Sequence, residues 1–322
     1  MNMSFSMQAK NELARIIPEN RCCQIAELSA LIRMSGTIQL VGFQKMNIKI
    51  VTENAAVARK IFTLLKRCFG VHTELRVRKN KLLKKNNHYM MMISSDLGAN
   101  DILKEAGILK TNNDKLYIDY NVPYILIKSK CCKRAYLRGA FLGAGSVSDP
   151  EKTYHLEFVT SSEEHSQGLK DLINDFELGA KIVQRKNSYV IYLKEGDCIV
   201  DLLNIMGAHS ALLNLENIRV VKQVRNNVNR IVNCETANLS KIVNASVRQI
   251  ENIEYIQAHA GFKTLPEGLR EIAQLRLEYK EASLKELGQM LDPPVGKSGV
   301  NHRLRKIERI AEKLKESKGE IR

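Results

Sequence analysis

A basic segment near the C-terminus, residues 297–313, has the side chains that could contact a nucleic acid. Its apolar residues recur at helical spacing, and on a helical wheel the polar residues fall on the opposite face. Hydroxyl, amide, imidazole and guanidinium groups in the first turns of such a helix could hydrogen-bond to base edges, and these are Ser298, Asn301, His302 and Arg305. Basic groups around them could pair with phosphates, and these are Lys297, Arg303, Lys306, Arg309 and Lys313.

The segments before this helix indicate how it is positioned. Thr264 and Glu267, and again Ser283 and Glu286, have the spacing of a capping box, which marks two helix starts. Residues 292–296 then break the second helix, so three helices form a helix-turn-helix with a long connection. The alternative is a solvated amphipathic helix in which glutamates form ion pairs with lysines and arginines of the same helix. These glutamates are Glu308, Glu312 and Glu316.

The first two thirds of the chain contain a duplication. Residues 22–38 and residues 131–147 follow the same pattern, each starting with two adjacent cysteines and ending with a glycine, a hydroxyl residue and a β-branched apolar residue. The downstream segments also correspond, and the hydrophobic periodicity of each copy predicts the order α-β-β-α-β-β-α. We therefore expect an α+β protein with a duplicated domain over residues 1–207, made of repeats at about 20–107 and 129–207.

The pattern after residue 207 changes to long helical stretches. We expect a helical linker over residues 208–262 and an all-α helix-turn-helix domain over residues 263–322. Within the linker, one stripe of residues at helical spacing predicts that this helix packs on another element. The stripe consists of Leu239, Ile242, Val243, Ser246, Ile250 and Ile253.

The segments Leu28–Gly36 and Leu137–Gly145 resemble degenerate forms of the nine-residue motif of the LAGLIDADG homing endonucleases. The resemblance implies two motif helices that meet closely at a pseudo-twofold interface, where Ala30 and Gly139 are small enough to allow it. It also implies two curved sheets that straddle DNA.

The resemblance further implies that the residue before the final glycine is acidic, because two such carboxylates hold the metal ions that activate water. Here those positions are Ser35 and Ala144, so we predict a nuclease fold without catalytic residues or a metal. Asp149 is the nearest acid, either as a turn residue or as a displaced ligand. Residual endonuclease activity remains an alternative.

The first repeat contains a second basic segment. Six residues between Leu75 and Asn86 are basic and none is acidic: Arg76, Arg78, Lys79, Lys81, Lys84 and Lys85. A hairpin of this density suits auxiliary contact with DNA phosphates. The alternative is an ordinary solvated loop.

Composition favours an anionic partner. The 322 residues carry a formal charge of +15 with 44% apolar residues, which favours a folded, multidomain protein that binds nucleic acid. Seven cysteines without Cys-x-x-Cys spacing argue against a zinc ribbon, and their odd number argues against a disulfide framework. The paired cysteines are interpreted as small apolar fillers, with redox chemistry as the alternative. No apolar run could span a membrane and no signal peptide is expected.

The chain as a whole resembles the WhiA family of bacterial DNA-binding regulators. The resemblance rests on residues 137–150, on residues 229–238 and on residues 283–288 followed by 296–305, in this order. It implies a non-enzymatic, sequence-specific protein that binds double-stranded DNA, a transcriptional regulator acting in cell division and chromosome segregation or in sporulation. We expect it in the cytoplasm on the nucleoid, without a cofactor. The alternative is a scaffold whose LAGLIDADG-like domain binds a protein partner of the division or segregation machinery, with secondary DNA contact.

Overall fold

Two compact units divide the chain, Met1–Lys222 and Gln223–Arg322. The structure is a computed structural model that describes residues 3–42, 44–79, 87–113 and 115–318. The first unit combines helices with sheets and the second is helical, which confirms the predicted α+β class.

The first repeat folds in the predicted order. Its elements are α2 (Arg21–Ser35), β1 (Gly36–Gly42), β2 (Lys45–Thr52), α3 (Ala55–Phe69), β3 (Glu74–Lys79), β4 (Asn87–Ile93) and α4 (Ala99–Glu105), preceded by α1 (Phe5–Arg15). The strands form an antiparallel sheet in the order β1-β2-β4-β3. The Asn54 side chain accepts hydrogen bonds from the amides of Ala56 and Val57, and so caps α3.

The second repeat has the same architecture. Its elements are α5 (Lys130–Ala144), β7 (Gly145–Val147), β8 (Leu156–Thr160), α6 (Glu163–Asn174), β9 (Lys181–Arg185), β10 (Ser188–Leu193) and α7 (Gly196–Met206). Its sheet order β7-β8-β10-β9 is equivalent to that of the first sheet. The matching strand orders confirm the duplication. The predicted boundary at residue 207 falls at the end of α7.

Two features of the first unit were not predicted. The helix α1 precedes the first repeat and contributes Phe5, Ala9 and Leu13 to the core. A hairpin of β5 (Leu109–Asn112) and β6 (Lys115–Ile118) lies between the repeats in the chain. Both additions lie outside the duplicated pattern, so the repeat comparison could not reveal them.

The motif helices α2 and α5 pack tightly against each other. A side chain at Gly139 would place its Cβ 2.3 Å from the carbonyl oxygen of Glu27 and 3.0 Å from the Cβ of Ala30. At Gly143 the Cβ would lie 2.6 Å from that of Met34. Only glycine fits at these separations, which confirms the predicted close approach of the two motif helices.

A buried charge network crosses the same interface. Arg138 on α5 donates from Nε and Nη2 to the two carboxylate oxygens of Glu27 on α2, both at 2.9 Å. Lys60 Nζ on α3 lies 2.5 Å from Glu27 Oε1, and both of these side chains are fully buried. Lys60 also donates to the carbonyls of Leu13 and Ile16 at 2.9 and 2.6 Å. One carboxylate therefore links α2, α3 and α5.

The helix α8 (His209–His259) begins in the first unit and ends in the second. Near its C-terminal end, Ile253 and Ile256 are fully buried in the core of the second unit. Leu239 and Ile242 are 62% and 63% exposed, so the predicted packing of this stripe is correct only at its C-terminal end. No helix within the described ranges combines the length and apolar character needed to cross a membrane.

The remaining helices are α9 (Glu267–Glu278), α10 (Leu284–Gln289) and α11 (Lys297–Ser317). The predicted capping box at Thr264 was wrong. Thr264 lies in a short 3-10 helix and its hydroxyl donates to the carbonyl of Gly261 at 2.7 Å, while Pro266 occupies the position before α9. The predicted capping box at Ser283 is confirmed.

Candidate nucleic-acid interface

The apolar face of α11 is fixed by the core of the second unit. Val300, Leu304, Ile307 and Ala311 are buried there together with residues of α8, α9 and α10. Because these positions recur every three or four residues, the opposite face of α11 must point away from the core. This burial sets the rotation of the helix about its axis.

The helix α10 and the turn after it hold the start of α11. The Ser283 amide donates to Glu286 Oε2 at 2.7 Å, and the Glu286 amide donates to Ser283 Oγ at 3.3 Å. Hydrogen bonding from the Ser283 amide, followed by that from the Ser283 side chain, lowers the pKa of the Glu286 carboxyl. A side chain at Gly288 would place its Cβ 2.0 Å from the carbonyl oxygen of Val295. The glycine is therefore required where the connecting turn crosses α10.

The structure brings the predicted residues of α11 onto its outward face. Seven of the nine are exposed: Lys297, Ser298, His302, Arg305, Lys306, Arg309 and Lys313. Asn301 is half-buried on the flank, where it was placed on the wheel. Arg303 is also half-buried and its Nη1 donates to the carbonyl of Gly268 on α9 at 3.3 Å. That contact ties Arg303 to the neighbouring helix.

A shallow groove runs along this face. It has a volume of about 700 Å³, and both apolar and basic or imidazole side chains line it. The basic and imidazole side chains are His302, Arg303, Lys306 and Arg309. Such a surface offers hydrogen-bond donors and positive charge, which suit a base edge and its phosphate.

The acidic residues of α11 bear on the alternative of a solvated helix. Glu308 Oε1 lies 4.0 Å from Arg248 Nη1 on α8, so this glutamate turns toward a different helix. Residues 297–313 contain six lysines and arginines and two glutamates. The outward face is therefore strongly positive.

The hairpin of the first repeat adds two exposed arginines. Arg76 and Arg78 lie on β3, the last strand of its sheet. Arg76 pairs with Glu74 at 3.1 Å, where both side chains are exposed, and such pairs contribute little to stability. Lys79 ends the strand, and Lys81, Lys84 and Lys85 lie outside the described residues.

The ends of the motif helices show what the former metal positions contain. Ser35 is the last residue of α2 and its hydroxyl donates to the Leu31 carbonyl of its own helix at 2.7 Å. Ala144 is the last residue of α5. Asp149 is an exposed turn residue whose Oδ1 accepts from the Glu151 amide at 3.0 Å. The two helix ends therefore present a hydroxyl and a methyl group.

Sequence reasoning missed two groups of polar residues. No motif or spacing in the sequence singles out Glu27, Lys60 and Arg138, yet they meet in the core. The two cysteine pairs were not considered as one cluster. The duplication could have indicated it, because equivalent residues of two packed helices can meet. In the structure the Sγ atoms of Cys23 and Cys132 are 3.7 Å apart.

Comparison with known proteins identifies matching family models. Models of three WhiA domains match it: the N-terminal LAGLIDADG-like domain at residues 21–109, the LAGLIDADG-like domain at 133–225 and the C-terminal HTH domain at 228–311. The crystal structure of full-length DUF199/WhiA from Thermotoga maritima is similar with a TM-score of 0.58 and 28% identity, and covers 97% of this chain and 99% of that one.

Relatives with the name "Probable cell division protein WhiA" are more similar in sequence. The protein from Alkaliphilus oremlandii is 66% identical over 317 residues, which cover 98% of this chain and 99% of the relative. The protein from Alkaliphilus metalliredigens is 62% identical over 311 residues, with 97% and 98% covered, and that from Clostridium botulinum is 57% identical over 314 residues, with 98% and 99% covered. With this identity over nearly its whole length, the chain belongs to the WhiA family.

Proposed function

We propose that this protein is a sequence-reading DNA-binding protein without enzymatic activity, and that α11 is its recognition helix. The observation that carries the proposal is the outward face of α11, whose exposed residues are basic or polar. Buried residues on the opposite side fix the rotation of this helix about its axis. Ser298, His302 and Arg305 in the first turns are placed to read base edges. Lys297, Lys306, Arg309 and Lys313 are placed to bind phosphates.

The LAGLIDADG-like unit is proposed as an auxiliary DNA clamp. Its exposed Arg76 and Arg78 lie on a sheet, the kind of element with which the homing endonucleases straddle DNA. Ser35 and Ala144 give the two motif helices no carboxylate pair for metal-assisted hydrolysis. The fold is therefore proposed to retain the binding geometry and to lack the nuclease reaction.

The names of the relatives suggest the cellular process. The relatives from Alkaliphilus and Clostridium carry the name "Probable cell division protein WhiA". A DNA reader in that process would act on the chromosome or on the genes that control division. We propose that this chain is a regulator of division-related genes and resides on the nucleoid.

A binding-site selection with the full-length protein tests the recognition helix. Random duplex DNA is selected with the wild type, with Arg305→Ala and with Lys241→Ala, a control that removes one exposed charge from α8. If Arg305 contacts a guanine through two hydrogen bonds, its loss weakens binding by about 1–3 kcal/mol and relaxes one position of the site. The control should select the wild-type site. If Arg305→Ala selected the same DNA sequence as the wild type, Arg305 would not be a base-reading residue.

A nicking assay tests the absence of nuclease chemistry. Supercoiled plasmid carrying the selected site is incubated with the protein and Mg²⁺ or Mn²⁺. We expect the plasmid to stay supercoiled under conditions in which the protein is bound. Metal-dependent nicking that follows the protein through purification would contradict the proposal.

A further inference from the structure

Four cysteines from the two repeats meet at the N-terminal ends of the motif helices. Cys22 and Cys23 lie in the first turn of α2, and Cys131 and Cys132 occupy the equivalent positions of α5. Cys23 and Cys132 are buried, with 5% and 3% of their surface exposed, while Cys22 and Cys131 are exposed. The cluster therefore has a buried side and a side open to solvent.

The distances within the cluster fit metal coordination. The Sγ atoms of Cys23 and Cys132 are 3.7 Å apart, and those of Cys22, Cys23 and Cys132 all lie within 4.8 Å of one another. The sulfur of exposed Cys131 lies outside this group of three, 3.2 Å from the Ser129 hydroxyl. Rotation of this side chain would complete a set of four sulfurs. In a tetrahedral Zn²⁺ site with bonds of about 2.3 Å, neighbouring sulfurs are about 3.8 Å apart.

The surroundings of the cluster favour thiolates. The first turns of two helices meet here, and the partial positive charge of a helix N-terminus stabilises an anionic sulfur. A bound divalent cation deprotonates the thiols that coordinate it, so buried Cys23 and Cys132 can act as thiolate ligands once the ion is present.

The role of apolar filler accounts for only half of the cluster. A small buried residue is useful at Cys23 and Cys132, where the helices are close together. Cys22 and Cys131 are exposed, where a thiol contributes nothing to packing. Yet the Cys22 sulfur lies within 4.8 Å of both buried sulfurs, and Cys131 directly precedes Cys132. Metal binding explains all four positions with one arrangement. The cluster has no local Cys-x-x-Cys spacing because its members come from different repeats.

We propose that Cys22, Cys23, Cys131 and Cys132 bind one Zn²⁺ ion as four thiolates and so join the two repeats. The thiols pass their protons to water as the metal binds, so up to four protons are released for each ion. A closed four-cysteine site is structural, and its binding free energy adds to the stability of the LAGLIDADG-like unit. This site is independent of DNA reading by α11 and does not rest on the proposed function.

The first test is the metal content of the wild type, which needs no substitution. The full-length protein is purified with a reductant and without chelators, and its zinc is measured by plasma mass spectrometry. We expect one zinc per chain. Reconstitution with Co²⁺ should produce the sulfur-to-metal charge-transfer band and the intense visible bands of a tetrahedral thiolate site. Folded, reduced protein that takes up neither Zn²⁺ nor Co²⁺ would overturn the proposal.

Substitutions then locate the site. Cys22→Ser changes an exposed residue and so should leave the fold intact. We expect it to weaken zinc affinity more than tenfold, because substitution of residues that only hydrogen-bond to metal ligands already lowers metal affinity about 10- to 100-fold. The matched control replaces Cys68, Cys198 and Cys234 with serine, and this variant should keep one zinc per chain. Retention of one zinc per chain in a variant that lacks all four clustered cysteines would contradict the site.

Discussion

Glu27→Gln is the substitution that most directly tests the buried interface between the repeats. It keeps the size of the side chain and removes the negative charge that Lys60 and Arg138 share. The side chains of Glu27 and Lys60 are fully buried and that of Arg138 is 10% exposed, so water cannot replace the lost carboxylate. Two cations then remain close together in the core.

The expected loss follows from this burial. Removal of one partner from a buried ion pair costs about 3–5 kcal/mol, because the remaining charge is left without compensation. We expect a value in this range for Glu27→Gln. Lys60→Met in the same chain removes one of the two uncompensated cations, so the double variant should be less destabilised than the sum of the two single variants.

Hydrogen exchange measures this effect locally. The protein has two compact units, so one global unfolding curve would mix their transitions. The opening free energy of amides in α2 and α5 reports on the interface itself. Glu19→Gln, at an exposed position before α2, is the control and should change that free energy by less than about 0.5 kcal/mol. A loss below about 1 kcal/mol for Glu27→Gln would refute the assigned role of the network.

Three further predictions follow from the same structure. Gly139→Ala should destabilise α2 and α5 in the exchange experiment by at least about 1–3 kcal/mol, since its Cβ would fall 2.3 Å from the carbonyl oxygen of Glu27; unchanged protection would contradict the close helix approach. Burial lowers the pKa of Lys60 from its usual 10.5 to about 8, although Glu27 opposes this shift. Between these two pH values the unfolded chain binds more protons than the folded chain, so the free energy of unfolding should rise with pH from about 8 to 10.5. Lys60→Met should remove that rise when unfolding is measured as a function of pH. If the free energy of unfolding of this variant rose with pH as in the wild type, Lys60 would not be its cause. Lys306→Ala should reduce the slope of log affinity against log salt by about 0.9 without altering the selected site, as expected for one phosphate contact; a changed site would instead make Lys306 a base reader.

The repeat architecture was predictable because its signals are local. Hydrophobic periodicity within each repeat marked the motif helices and the strands, and Ser283 with Glu286 marked the start of α10 through contacts three residues apart. The wheel of α11 correctly separated buried Val300 and Leu304 from exposed Arg305. These features depend on neighbours in the chain, and sequence spacing records such neighbours directly.

The remaining features depend on contacts between distant residues. Glu27 and Arg138 are 111 residues apart, and neither shows by its own surroundings that it will be buried. The paired cysteines meet only because two helices pack against each other at equivalent ends. Thr264 has the spacing of a capping residue, but Pro266 precedes the first turn of α9 and the Thr264 hydroxyl turns back to Gly261.

Crosslinking to the genome in living cells, followed by sequencing, tests whether α11 reads DNA sequence. Cells with the wild type are compared with cells carrying an Arg305→Ala, Arg309→Ala double variant at equal protein levels. If α11 is the reader, discrete peaks should lie upstream of genes in the wild type and disappear in the variant. Peaks that persist unchanged in the variant, or a diffuse signal in the wild type, would show that α11 is not the reader and favour a scaffold with secondary DNA contact.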